Sequence, residues 1–354
     1  MNSKNISRML ISKDKDLYKE IDASKTSTGS FFTKRDVWLT EPVAEFLSGA
    51  LAAGNNVLDP YAGEGHLLDV CLEKFNSAIY GYDIRETIWE KNDSLISIPN
   101  PNNAVIVTNP PYLAKYSAKR KGVFDTVEKY FEEGREDLYQ TALDRCLEAA
   151  TFVVAIIPET FLNSTFSKDY LSLLCVLEEN PFEDTETPVC VACFDRRNKQ
   201  DAKLFINHSY CGNFSDIFSY RKTSLRKDGV RFNISNGRVA LKAVDGTMGD
   251  DLIRFENANT FSYSRTNIKH SSRLLTYLEV DVLTDSEIND FVDACNSHLG
   301  FIRNKTFDLV LSPFKGNNKS GKRRRRLDYT LARTIIELSL TSMSPKNIKQ
   351  DRLL

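Results

Sequence analysis

No stretch of this chain is apolar for long enough to cross a bilayer, which takes about 20 residues of helix, so no membrane span is expected. The N-terminus is rich in Lys and Asp and lacks the apolar centre of a secretory signal, which makes the cytoplasm the expected location. Histidine is scarce, and His66, His208, His270 and His298 are too dispersed to suggest a metal site or a catalytic triad. The seven cysteines are scattered, as suits reduced thiols. Cys190 and Cys193 form a lone Cys-x-x-Cys, but they fall inside an apolar strand where i and i+3 point to opposite faces. No second pair follows, so neither zinc nor any other metal is expected. An internal repeat is also lacking.

Net charge is nearly absent, −1 over 354 residues, yet it is unevenly spread. Residues 1–195 hold 19 Lys/Arg against 31 Asp/Glu, and residues 196–354 hold 28 against 17. A basic C-terminal part suggests a polyanionic partner; the other reading is two oppositely charged faces of one body. A hydrophobic content of 41% and a charged content of 27% are ordinary for a globular chain.

Ala104-Val105-Ile106-Val107 reads as a short buried strand, and Thr108-Asn109-Pro110-Pro111-Tyr112 follows it. Proline donates no ladder hydrogen bond, so the strand ends there and Asn109 and Tyr112 are left on a stiff bend. In an open α/β sheet that edge is where ligands bind. An amide oxygen and a neighbouring carbonyl can accept from one exocyclic amine, and a tyrosine ring can stack on a flat heterocycle. A plain strand-terminating turn is the alternative.

Upstream, residues 1–28 read as a polar, flexible lead with a short helix near Lys15–Ile21. An amphipathic helix begins near Thr40, with Pro42 in its first turn. A strand then ends at Asp59, in Asp59-Pro60-Tyr61-Ala62-Gly63-Glu64-Gly65, before a helix from about His66. Gly63 and Gly65 permit a tight turn and close backbone approach, and Asp59 could hold an ammonium. The third glycine of a dinucleotide fingerprint is missing, which favours a nucleoside-amino-acid ligand over a pyrophosphate. Strand Ala78–Ile84 carries Asp83 about 20 residues on, where an acid can take both ribose hydroxyls; a strand-end surface carboxylate is the plainer option. Asp93 could lie near an adenine edge.

After Tyr112 comes a basic, flexible segment with Lys115, Lys119, Arg120 and Lys121, either a phosphate contact or a solvated loop. Helix Arg135–Ala150, strand Phe152–Ile157, helix Lys168–Leu177 and strand Val189–Phe194 follow. Repeated strand-helix units with apolar strands predict a doubly wound, mainly parallel α/β sheet. Residues 197–354 predict an α+β region, with strands Val230–Ile234 and Arg238–Ala243, turn residues Lys227-Asp228-Gly229, and helices Asp285–Leu299 and Tyr329–Leu340. Polar loop Gly316–Gly321 leads into Lys322-Arg323-Arg324-Arg325-Arg326. This run is expected to be a loop or helix end in which two or three arginines touch phosphates, or else a solvated stretch.

Taken together, Phe31-Phe32-Thr33, Asp59-Pro60-x-x-Gly63-x-Gly65, Asp83, Asn109-Pro110-Pro111-Tyr112, Asp137-Leu138-Tyr139, Ile156–Phe161 and Val191–Phe194 resemble the motifs of the N6-adenine DNA methyltransferases of restriction-modification systems. Their order is that of the gamma group. The resemblance covers about residues 29–196 and implies three parts: the lead, a catalytic domain over 29–196, and a target-recognition region over 197–354. It implies S-adenosylmethionine as cofactor, held by Phe32, Thr33, Asp59, Gly63, Gly65, Asp83, Ile84 and Asn109. Catalysis would fall to Asn109, Pro110, Pro111 and Tyr112, with Tyr112 and Phe194 sandwiching a flipped base. Double-stranded DNA is the implied substrate, with a companion restriction endonuclease acting on the same site. Related enzymes with this motif methylate RNA or a glutamine amide, and a silent DNA-binding subunit is a further alternative.

Overall fold

The computed structural model describes residues 36–52, 54–85, 87–100, 102–182, 187–221, 229–263 and 274–343. The expectations for Lys15–Ile21, Phe31, Phe32, Thr33, Lys227 and Asp228 fall outside these residues.

Helix α1 (Glu41–Leu51) follows Thr40, whose hydroxyl donates to Cys175 Sγ at 3.3 Å rather than capping the helix, and has Pro42 in its first turn, where the missing N–H costs no intrahelical bond. Its apolar stripe, Val43, Leu47 and Ala50, is buried. Strand β1 (Val57–Asp59) follows, then helix α2 (His66–Phe75), β2 (Ile79–Asp83), β3 (Glu90–Lys91) and β4 (Val105–Thr108). Helix α3 (Lys115–Lys121) leads through short turns to α4 (Leu138–Ala149), β5 (Phe152–Pro158), β6 (Leu171–Val176), β7 (Val189–Asp195), β8 (Lys203–Ile206) and β9 (Ser209–Asn213).

These nine strands form one sheet in the order β3-β2-β1-β4-β5-β7-β6-β8-β9. The first five run parallel, while β7 is antiparallel to both β5 and β6. The chain starts in the middle, winds outward to β3 and then returns to build the other half. This is the doubly wound, mainly parallel sheet that the strand-helix alternation predicts. The strand order switches direction between β1 and β4, so the loops after those two strands flank the crevice.

Three expectations need correction. Residues 168–177 are not helical: Leu171–Val176 is strand β6, buried at five of its six positions between β7 and β8. Periodicity alone cannot separate a short continuous apolar run in a strand from one in a helix. The segment after Tyr112 is not a flexible loop, since Lys115–Lys121 is helical and ends on Gly122 at φ 72°. The sheet also runs on past residue 196, because β8 and β9 complete it, so a boundary at 196 would cut through it.

Beyond Asn213 the architecture changes, as expected, to α+β. Strands β10 (Val230–Phe232), β11 (Val239–Lys242), β12 (Arg254–Asn257) and β13 (Leu275–Val280) form an antiparallel sheet in the order β10-β13-β11-β12. Helix α5 (Ile288–Thr306) is tied to it by the Asn296 amide, which exchanges two hydrogen bonds with the Phe255 backbone. A two-stranded ribbon, β14 (Ser312–Asn317) with β15 (Arg323–Arg326), precedes helix α6 (Tyr329–Met343). One apolar core runs through both sheets, from Trp38 and Val107 to Phe255 and Ile335.

Candidate active site

Strand β1 pairs in parallel with β2 on one side and β4 on the other, so Asp59, Asp83 and Asn109 all stand at one edge of the sheet. The edge is wired together. Thr108, the last residue of β4, donates its hydroxyl to Asp59 Oδ1 at 2.6 Å, and the same oxygen accepts from the Tyr61 N–H at 3.0 Å. Asp59 is buried, and that burial pushes its carboxyl up to about 7 from 3.8, against the lowering effect of the Thr108 and Tyr61 bonds; the negative Asp83 adds a smaller push upward.

The glycine turn is built as expected, with Gly63 at φ 53° and Gly65 at φ 85°, values that favour glycine. What approaches Gly65 closely is Trp89. A methyl at Gly65 or Gly81 would lie 2.6 Å from the indole, whose Nε1–H donates to the Gly63 carbonyl at 3.1 Å. A Cβ at Gly63 would meet nothing nearer than Arg85 Nη2 at 3.9 Å. The open approach is therefore over Gly63.

Asp83 is buried and already engaged. It accepts from the Gly63 N–H at 3.0 Å, from the Arg85 N–H at 2.8 Å, and from the Arg85 guanidinium at 3.1 and 3.3 Å. A carboxylate has about four lone-pair sites, so a diol would have to displace the half-exposed Arg85 side chain. Ile84, beside it, is 52% exposed, as a surface that meets a ligand would be. Asp93 gives one oxygen to the Tyr130 hydroxyl at 2.7 Å, while its Oδ1 is buried without a partner. An orphaned buried acceptor costs about 1–3 kcal/mol, and a ligand amine would relieve it. Neither Arg85 nor Trp89 was singled out from the sequence; the one available signal was that tryptophan occurs only twice in the chain.

Asn109 is half-buried and Tyr112 is buried. The Tyr112 hydroxyl reaches both Asn109 Oδ1 and the Ile156 carbonyl, the latter at 2.6 Å, and its single proton serves one of them at a time. The ring meets Tyr139 and Phe182 edge-on, at centroid distances of 6.5 and 6.2 Å. The loop is anchored from behind. Asp137 caps α4 with a full capping box, and its carboxylate also takes the Leu113 N–H at 2.9 Å. Burial raises the Asp137 carboxyl to about 6.

Phe194 is not at this edge, contrary to expectation. β7 runs antiparallel to β5, so Phe194 pairs with Val153 while Thr108 pairs with Ala155; its ring is buried two residues deeper, against Phe161. Reversing one strand sends its C-terminal end to the wrong side of the sheet. Besides Tyr139, the aromatic residue that the structure brings to Tyr112 is Phe182, which follows Asn180-Pro181 and precedes β7 in the chain.

The arginine run is also not a loop. It is strand β15, and its odd positions face inward. Arg325 pairs with Glu159, the fully buried residue after Pro158; Arg323 lies 3.6 Å from the same carboxylate and donates to the Leu177 carbonyl. Arg324 donates to the Asp245 carbonyl at 2.8 Å and stacks on Phe314 at 4.8 Å. The phosphate role expected for Arg323 and Arg325 is therefore withdrawn: a guanidinium held inside an ion pair cannot also meet solvent-side phosphates.

No family model matches the chain. A curated relative, the modification methylase CviBIII of Paramecium bursaria Chlorella virus NC1A, is 26% identical over 217 residues. The match spans 54% of this chain and 55% of that one, about half of each. Among solved structures, the methyltransferase subunit of the type I restriction-modification system of Streptococcus thermophilus is similar with a TM-score of 0.36 and 16% identity, over 53% of this chain and 50% of that one. The type I restriction enzyme EcoKI M protein gives 0.33 and 12%, over 55% and 52%. At such scores the fold rests on the strand order itself. No helix among the described residues is long and apolar enough to cross a membrane.

Proposed function

We propose that this chain is an S-adenosylmethionine-dependent DNA methyltransferase acting on adenine N6 after base flipping, the modification half of a restriction-modification system. The observation that carries this reading is one sheet edge on which Asp59, Gly63, Asp83 and Asp93 stand beside Asn109 and Tyr112, joined by the Thr108–Asp59 bond. The identity to a modification methylase over half of each chain supports it.

The residues fit the cofactor. Asp59 would meet its ammonium, Asp83 its ribose, the unpartnered Asp93 Oδ1 its adenine amine, and Ile84 its ring face. When bound, S-adenosylmethionine supplies an electrophilic methyl on a sulfonium. The protein's own part lies in the amine of the flipped base, a poor nucleophile because its lone pair is delocalised. Asn109 Oδ1 and the Pro110 carbonyl accept the two N6 hydrogens, which favours a tetrahedral nitrogen and stabilises the charge it gains. The Tyr112 proton turns to the Ile156 carbonyl, releasing Asn109 Oδ1 from it for the incoming amine. Tyr112 and Phe182 hold the base by stacking and edge contact. Alignment at the edge supplies much of the remaining acceleration. A companion endonuclease would cut the same sequence when it is unmethylated.

Tritiated methyl transfer to DNA, RNA and protein, run side by side, tests the substrate class. DNA should be labelled, with the label in N6-methyladenine. Asn109→Ala should lose at least about 100-fold in turnover, the scale of removing one such acceptor, while cofactor affinity stays near wild type. Labelling of RNA or protein instead, or a fully active Asn109→Ala, would overturn the reading.

A further inference from the structure

We infer that Tyr116 is a wedge that enters the duplex when the target base leaves it, and that Lys119 and Arg120 seat its helix on the flanking phosphates. This rests on the function proposed above. Tyr116 is 75% exposed, the most exposed large hydrophobic side chain among the described residues. It stands at the start of α3, four residues after Tyr112, so the two Cα atoms are at most about 14 Å apart. Tyr116, Lys119 and Arg120 are spaced i, i+3, i+4 and all exposed, and therefore share the outer face of the helix. Ala118, on the inner face, is buried with Leu113 and Leu138, and Leu95, Phe124, Tyr130 and Phe131 pack against them.

The helix is a firm mount. The Lys115 N–H donates to the Glu136 carbonyl at 2.8 Å, and Ala114 bridges to Asp137, the residue that holds the Leu113 N–H. A ring presented from an anchored helix and flanked by cations matches what a gap in a base stack offers: two π faces bordered by phosphates. Aromatic and apolar side chains fill such gaps in other DNA complexes and recover part of the lost stacking. The Lys119 Nζ also lies 4.7 Å from the centroid of the Phe124 ring, so its ammonium rests over that ring at the surface of the protein.

The test uses the full chain and first needs its target, found by mapping methylated adenines in plasmid from cells expressing the wild type. Two duplexes carrying that site are then compared: one fully paired, one with the target adenine opposite an abasic position. On the paired duplex, Tyr116→Ala should lose about tenfold or more in kcat/KM, and 2-aminopurine at the target should brighten far less on binding. On the abasic duplex, where opening is already done, it should be within about twofold of wild type. Tyr116→Phe, which keeps the ring, should behave as wild type on both. Equal losses on the two duplexes, or none, would overturn the wedge. If the wild type methylates no DNA, the proposed function fails and this inference fails with it, which the first mapping step reveals on its own.

Discussion

Replacing Arg325 by methionine should cost far more stability than its place in a run of five cations suggests. In the folded chain its guanidinium is about one-twentieth exposed and pairs with Glu159, which has no exposure at all. Removing it leaves a buried carboxylate with Arg323 at 3.6 Å as its remaining cation. Breaking a buried pair from one side costs about 3–5 kcal/mol, because the remaining charge stays desolvated. The backbone of β15 should persist, since the Arg325 N–H, which bonds to Asp245 at 3.1 Å, is still present. Scanning calorimetry should show a fall of roughly 5–15 °C in the unfolding midpoint. Removing both charges, in Glu159→Leu with Arg325→Met, should recover most of the loss, as apolar replacements of buried pairs do. Lys322→Ala, one residue before the strand, should change stability by no more than about 0.5 kcal/mol. If Arg325→Met melted like wild type and instead flattened the salt dependence of DNA binding, the side chain would be outside and the burial reasoning wrong.

Other consequences follow from the site. Because burial lifts the Asp59 carboxyl to about 7, the folded ligand-free protein holds a proton there that the unfolded chain releases near 3.8. This group's contribution to stability is therefore lost as pH rises from about 4 to about 7, and cofactor binding, which needs the ionised form, should weaken about fivefold from pH 7 to pH 6 with proton release; calorimetric titrations that gave one affinity from pH 6 to 8 would contradict it. Phe182 and Phe194 are both buried, so each truncation to alanine should destabilise by about 3–5 kcal/mol, but only Phe182→Ala should also lose about 1–3 kcal/mol of base retention per folded molecule; 2-aminopurine fluorescence, corrected by urea melts for the folded fraction, would expose the reverse pattern. Arg85→Ala should bind S-adenosylmethionine at least as tightly as wild type, up to about fivefold tighter, because the exposed guanidinium competes for Asp83 in a pair worth about 0–1 kcal/mol; markedly weaker binding would instead make Arg85 part of the site.

The half of the fold that organises the site was legible because its strands are short, apolar and punctuated. Asp59-Pro60 and Asn109-Pro110-Pro111 mark strand ends by local chemistry, since a proline removes one donor from the ladder. Asp137 announces a helix start in the same local way, through a capping box. What the sequence did not disclose is direction and depth. Nothing within Val189–Asp195 says that the strand runs against β5, and that single reversal takes Phe194 away from the edge where the sequence reading puts it. Nothing within Arg323–Arg326 says that a carboxylate 166 residues earlier waits inside the protein for Arg325. The Trp89 packing that makes glycine obligatory at 65 and 81 is likewise a long-range fact.

Charge density in sequence and charge offered to a partner are different quantities, and this chain separates them. Much of the C-terminal cationic excess is tied up locally: Arg221 with Asp328, Arg238 with Glu279, Lys242 with Asp251, and Arg303 with Asp245 and Asp308. Such pairing leaves the region's net charge unchanged but removes directed donors from its surface. The densest run of all points two of its arginines at Glu159, a residue of the acidic half, and so joins the two parts of the molecule where β5 ends. The exposed Lys119 and Arg120, by contrast, belong to the net-negative half and sit one helix turn past Tyr116. A long-range positive field from residues 196–354 can steer a polyanion toward the protein. On the function proposed above, close contact at the point of chemistry falls to the few cations mounted beside Asn109 and Tyr112. Neutralising Lys119 and Arg120 should therefore lower the salt slope of DNA binding by about 0.9 per contact, while Arg325→Met leaves that slope alone.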